Sequence, residues 1–140
     1  MDVRGKIIIV TGGASGIGQG LCRRFAREGA KSVIVADVNE AGAKTVADEI
    51  KGIAMTCDVR KEKDIINLVS FTEKKFGSID LFCSNAGIIV LGGVEAGNED
   101  WQRIWEINVL SHVYAARAVL PGPGGRCRDQ PPLWPAHPPN

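Results

Sequence analysis

The sequence predicts an α/β protein: a parallel sheet of about four strands covered by helices. Short runs rich in isoleucine and valine alternate with longer segments of helical period, the order of strands joined by crossover helices. The first run, Lys6 to Val10, is unbroken apolar sequence from Ile7 onward, as suits a strand buried on both faces. The first three runs lead into Thr11-Gly12, Asp37 and Asp58, and the C-terminal strand ends are where such sheets place their ligand-binding residues.

Each element follows in order. After the first strand, Gly18 to Glu28 reads as a helix with Leu21, Cys22, Phe25 and Ala26 on one face. Ser32 to Ala36 is the second strand. Glu40 to Ile50 is helical, with Ala43, Val46, Ala47 and Ile50 at the i, i+3, i+4, i+7 spacing of an amphipathic stripe. Ile53 to Cys57 is the third strand, and Lys61 to Phe76 a helix turning Ile65, Leu68, Val69 and Phe76 inward. Ile79 to Cys83 is the fourth strand, and a glycine-spaced loop runs on through Gly97. Asn98 or Asp100 is placed to cap a long final helix carrying Trp101, Ile104, Trp105, Val109, Val113 and Ala116. The order β-α-β-α-β-α-β-α is that of a Rossmann-like, doubly wound sheet, here incomplete.

Composition narrows the function classes. Seventeen basic residues against sixteen acidic ones leave a charge of +1, which argues against nucleic-acid or anionic-membrane binding. No segment reaches the ~18–20 apolar residues of a membrane span, and Met1 to Lys6 holds no long apolar run. Cys22, Cys57, Cys83 and Cys127 form no C-x-x-C pair, so reduced thiols are expected rather than a metal site or a disulfide frame. A soluble, cytoplasmic chain is the expectation. All seven prolines lie beyond residue 120. Proline breaks helix and sheet ladders alike, so the chain is divided into an ordered portion, 1–120, and a disordered Pro/Gly-rich tail, 121–140.

The chemistry is concentrated in Thr11-Gly12-Gly13-Ala14-Ser15-Gly16-Ile17-Gly18. Glycines there let the backbone approach a pyrophosphate, and the helix that follows offers open N–H groups and the positive end of its dipole. Asp37 follows Gly18 at close to the ~20-residue spacing of a ribose-binding carboxylate. A ligand-free glycine turn is the plainer reading, but the buried strand, the helix and the acid together point to a dinucleotide cofactor.

Gly12-x-x-x-Gly16-x-Gly18 after Thr11 resembles the T-G-x-x-x-G-x-G pattern of the short-chain dehydrogenase/reductase family. Three further segments match in order. Asp58-Val59 resembles the family's adenine-contacting acid and its neighbour. Ser84-Asn85-Ala86-Gly87 resembles N-N-A-G, with serine for the first asparagine. Asn108 falls where the family's helix asparagine supports the active site. The resemblance implies cofactor contacts at Thr11, Gly12, Ser15, Gly16, Ile17, Gly18, Asp37, Asp58, Val59, Asn85, Ala86 and Gly87. It implies NAD-dependent alcohol/ketone interconversion, and homo-oligomers. Plainer roles stay open: a helix cap for Asp58, a turn for Asn85, a tolerated polar residue for Asn108. Trp101 and Trp105 read as packing residues, and His112 as an ordinary helix histidine without a partner.

The family's catalytic serine and Y-x-x-x-K pair have no match. The single tyrosine is Tyr114, and four residues on stands Ala118. Of the family's usual active-site set only Asn108 is present, so a small alcohol or ketone substrate belongs to a full-length version alone. Read one base earlier, the codons of Trp134-Pro135 force alanine, because TGG-CCN contains GCC, and neighbouring triplets permit a family-like serine segment. The tail is read as a frame-shifted or mis-spliced remnant of a truncated family member, against the alternative of a genuine proline-rich tail. A rival reading is a non-catalytic nucleotide-binding or subunit-interaction fragment. NAD is expected over NADP, since Asp37 would repel a 2′-phosphate and no Lys or Arg stands at 13–15 or 38. Strand four should pair with strand one and leave its other edge open.

Overall fold

The computed structural model describes residues 2–120; the predicted tail, 121–140, lies outside them. The elements are β1 (Ile7–Thr11), α1 (Gly16–Arg27), β2 (Ser32–Asp37), α2 (Glu40–Ile50), β3 (Ile53–Thr56), α3 (Glu62–Phe76), β4 (Leu81–Cys83), α4 (Asn98–Trp105), a π-helical turn (Glu106–Leu110) and α5 (Ser111–Val119). The strands form one parallel sheet in the order β3-β2-β1-β4. The chain steps outward from β1 to β3, then crosses back to the other side of β1. That reversal opens a crevice between the C-terminal ends of β1 and β4, where doubly wound sheets bind ligands.

Alternation along the strands builds two cores. Ile8, Val10, Val33 and Val35 face Cys22 of α1 and Ala43, Val46 and Ala47 of α2. Ile7, Ile9, Ile34 and Ala36 face Ile65 and Leu68 of α3 and Ala115 of α5. Helices on both faces explain why all of β1 is buried. Tyr114 packs partly buried against the second core.

Helix ends obey local rules with one departure from expectation. The Asn39 side chain accepts from Gly42 N at 3.0 Å and caps α2, and α3 stops at Gly77, φ 88°, a conformation that favours glycine. At α4 neither Asn98 nor Asp100 is the cap. The capping position is Gly97, with no side-chain bond, so both polar residues fall inside the first turn. β1 starts one residue later than predicted, and α1 two residues earlier, directly off the glycine loop. β3 and β4 are shorter than predicted: Cys57 leaves the third strand, and Ile79 and Asp80 precede the fourth. Asp80 instead joins the chain before β4 to the entry of β1, accepting from Ile7 N at 2.8 Å and Lys6 Nζ at 3.1 Å.

The predicted single final helix is interrupted. Five residues, Glu106–Leu110, form the π-helical turn, of the kind often found where a helix serves a site. Trp101 and Trp105, expected to pack, are instead about half exposed, at 51% and 52%. β4 pairs with β1 alone among the described strands.

Candidate functional site

A cleft of about 490 Å³ lies at the C-terminal ends of the strands. Its floor is the glycine loop. Gly12 takes φ +68°, and a Cβ there would come within 2.9 Å of Ala86 Cα. A Cβ on Gly18 would meet Gly12 O at 2.0 Å and the Asn85 side chain at 2.7 Å. These two glycines are required by close approach between the loop, α1 and the end of β4. Gly16 differs. Its φ is +52° and nothing lies within 4 Å of a Cβ built on it, so this backbone borders open cleft, as a polyphosphate would need. Ser15, just before α1, is extended and its side chain makes no capping bond, and the first turn of α1 carries no acid. An uncapped helix N-terminus of this kind suits an anion.

Asp37 forms the second wall. Its Oδ2 accepts from Ala14 N at 3.0 Å and its Oδ1 from Asn39 N at 2.9 Å. The carboxylate thus ties the glycine loop to the end of β2 while bordering the cleft. Each oxygen keeps an acceptor position, since a carboxylate offers about four.

The third wall follows β3. Asp58 and Val59 border the cleft with Cys57 and Arg60. The Arg60 guanidinium grips Asp58 through Nε–Oδ1 at 2.9 Å and Nη2–Oδ2 at 2.7 Å. That grip holds the Asp58 carboxyl below the usual carboxylate range, against the opposing effect of burial. Burial, reinforced by Asp64, Asp58 and Asp37, pushes the Cys57 thiol up to about 12, so it stays a neutral lining group.

The fourth wall is the loop after β4. Asn85, Ala86, Gly87 and Ile88 line it, held from below by Thr11. The buried Thr11 hydroxyl accepts from Asn85 N at 3.0 Å and Ala86 N at 3.2 Å, and Thr11 O accepts from Asn85 Nδ2 at 3.0 Å. Asn108, on the π-helical turn, grips the same loop: Ile88 N donates to its Oδ1 at 2.9 Å and its Nδ2 donates to Ile88 O at 2.8 Å.

Of the predicted positions, Gly12, Ser15, Gly16, Ile17, Gly18, Asp37, Asp58, Val59, Asn85, Ala86 and Gly87 all border one cleft. Thr11 and Asn108 stand behind its wall and shape it. The exposed side chain of Ile17, 78% accessible, lies at the mouth. Sequence reasoning missed Arg60, although its place two residues after Asp58 was legible. It also missed a partner for His112: Ser84 Oγ lies 2.6 Å from its Nδ1, a contact across 28 residues that no local pattern signals. Among the described residues no group of three or more His, Cys, Asp or Glu could hold a metal ion, and no helix is long and apolar enough to cross a membrane.

Known proteins resemble this chain in sequence and in fold. The sequence model of the short chain dehydrogenases matches residues 6–126, running past the boundary predicted at residue 120. The chain is 40% identical over 129 residues to tropinone reductase-like 1 of Erythroxylum coca, covering 84% of this chain and 47% of that one. It is 37% identical over 132 residues to zerumbone synthase of Zingiber zerumbet, covering 86% and 49%. Among solved structures, the 3-ketoacyl-(acyl-carrier-protein) reductase of Brucella melitensis, complexed with NADH, superposes with a TM-score of 0.79 at 35% identity, covering 84% of this chain and 50% of that one. The chain spans about half the length of the curated relatives it matches. On the family match and on its glycine loop, the chain belongs to the short chain dehydrogenase family.

Proposed function

We propose that this chain is the cofactor-binding part of an NAD-dependent alcohol/ketone oxidoreductase, and that the 140-residue chain itself binds the dinucleotide without turnover. The observation that carries the reading is the open backbone of Gly16 beside the uncapped start of α1, with the Asp37 carboxylate across the cleft. Gly12, Ser15, Gly16, Ile17 and Gly18 would hold the pyrophosphate, Asp37 the adenosine ribose, and Asp58 with Val59 the adenine. Asn85, Ala86 and Gly87 would follow the rest of the cofactor, with Asn108 fixing their loop. When bound, such a cofactor supplies or accepts the hydride exchanged with a carbonyl or alcohol carbon. Turnover further needs a positioned acid/base, typically ~10²–10⁴-fold in rate. Tyr114, the single tyrosine, lies on α5 and packs partly buried against the second core instead.

Asp37 sets the preference for NAD(H). At ~4 Å and an effective dielectric of ~20, each unit of like charge that a 2′-phosphate sets against Asp37 costs about 4 kcal/mol. Calorimetry on the 140-residue protein tests the reading: NADH binds, and NADPH binds more weakly. Tighter NADPH binding overturns the preference. Cofactor-dependent oxidation of a secondary alcohol by the purified chain, free of host enzymes, overturns the absence of turnover. A second reading, a fragment that joins longer subunits, is favoured by the outer edge of β4, which no described strand pairs.

A further inference from the structure

Arg60 does more than border the cleft. Its backbone N donates to Asp58 Oδ1 at 3.1 Å, its Nε to the same oxygen at 2.9 Å, and its Nη2 to Oδ2 at 2.7 Å. Lys61 Nζ stands 3.9 Å from Oδ2, beyond hydrogen-bond range. Oδ1 therefore has both acceptor positions filled and Oδ2 has one left. The Asp58 main chain is fixed too, its N donating to Asp64 Oδ2 at 3.1 Å from the first turn of α3. The result is a carboxylate held in one plane with a single free acceptor, on a residue that borders the cleft. Its side chain is 14% exposed, whereas that of Arg60 is 44% exposed.

We propose that Arg60 is a positioning residue for base recognition. By occupying three of the four Asp58 acceptor positions it leaves one, suited to a single N–H donor such as the exocyclic amino group of adenine. A base carrying a carbonyl at that place, such as hypoxanthine, would set oxygen against the carboxylate. The planar guanidinium fork is the needed device, because an ammonium group offers a point charge and no fixed plane. The inference rests on the dinucleotide reading above and assigns this residue the discrimination between bases.

The test compares NADH with its hypoxanthine analogue by calorimetry on the 140-residue protein and on Arg60→Ala and Arg60→Lys. The native chain favours NADH by about tenfold or more, the scale of one charge-assisted hydrogen bond. Arg60→Ala weakens NADH binding, leaves the hypoxanthine analogue within about twofold, and so collapses the ratio. Arg60→Lys gives an intermediate ratio and carries the test should the alanine variant not fold. An unchanged ratio in a folded Arg60→Lys and Arg60→Ala overturns the role of Arg60 while NADH binding itself still stands. Equal weakening of both dinucleotides also overturns it. Failure of the native chain to bind either dinucleotide overturns the underlying reading instead.

Discussion

Thr11 and Asn85 are bonded to each other twice. The threonine hydroxyl accepts from the Asn85 backbone N at 3.0 Å, and the asparagine side-chain amide donates to the threonine carbonyl at 3.0 Å. The pair crosses between the end of β1 and the loop after β4, so the width of the cleft at its reversal point is set by two short polar side chains. Ala86 N also uses the Thr11 hydroxyl, at 3.2 Å.

Thr11→Val should therefore cost about 1–3 kcal/mol, because two partly buried N–H groups lose their acceptor together. Thr11→Ser, which retains the hydroxyl, should recover most of the loss. Urea unfolding midpoints of the two variants decide this; equal midpoints would mean the N–H groups find water instead.

Two glycines of α1 should respond to alanine in opposite directions. Gly18→Ala drives a Cβ into Gly12 O, and overpacking of this kind typically costs ~1–3 kcal/mol. A Cβ on Gly20 meets nothing within 4 Å, so Gly20→Ala should stabilise the helix by about 0.5–1 kcal/mol. Thermal melts of both variants against the native chain read the sign directly.

Acid should loosen the entry of β1. The hydrogen bond from Ile7 N, then that from Lys6, holds the Asp80 carboxyl below its ordinary value, with Lys31 adding to the effect against slight burial. A depressed carboxylate stabilises the fold fully above its unfolded value, ~3.9, and loses that contribution as pH falls through the lower folded value. Asp80→Asn should lower the melting temperature at pH 7 and flatten its fall below pH 4. A variant as acid-sensitive as the native chain would assign the effect to other carboxylates, Glu49 beside Arg23 among them.

Association should accompany folding. β4 is paired on one side only among the described strands, and Trp101, Trp105, Val109 and Val113 are exposed together. Open edges and apolar patches of this kind recruit further chains. Size-exclusion chromatography should show self-association that grows with concentration, and Trp101→Glu with Trp105→Glu should reduce it. A monodisperse native monomer at high concentration would show that edge and stripe to be covered.

The strands and helices were legible because their causes are local. Ile7 to Val10 announces a buried strand by composition, and Ala43, Val46 and Ala47 announce a helix face by spacing. The glycine loop was legible for the same reason: Gly12, Gly16 and Gly18 lie within one turn of chain and Asp37 at the next strand end. What escaped depends on contacts between distant segments. Ser84 meets His112, and Asp80 meets Ile7, only once the sheet has formed. The π-helical turn escaped because its sequence, Glu106–Leu110, has ordinary helical composition; the clamp of Asn108 on Ile88 accompanies it. The exposed tryptophans escaped because an amphipathic stripe marks an apolar face without saying what covers it.

The five-residue turn also acts as a phase corrector. Steps of four residues overshoot a 3.6-residue helical repeat, so Trp101, Trp105, Val109 and Val113 would spiral steadily around an uninterrupted α-helix. A wider i→i+5 turn holds more residues per revolution, so the same step falls short there. The two angular errors have opposite signs, as in a vernier with two scales, and all four side chains stay exposed. One change of pitch thus accompanies two tasks on one helix, gripping the cleft loop through Asn108 while leaving apolar side chains open to solvent.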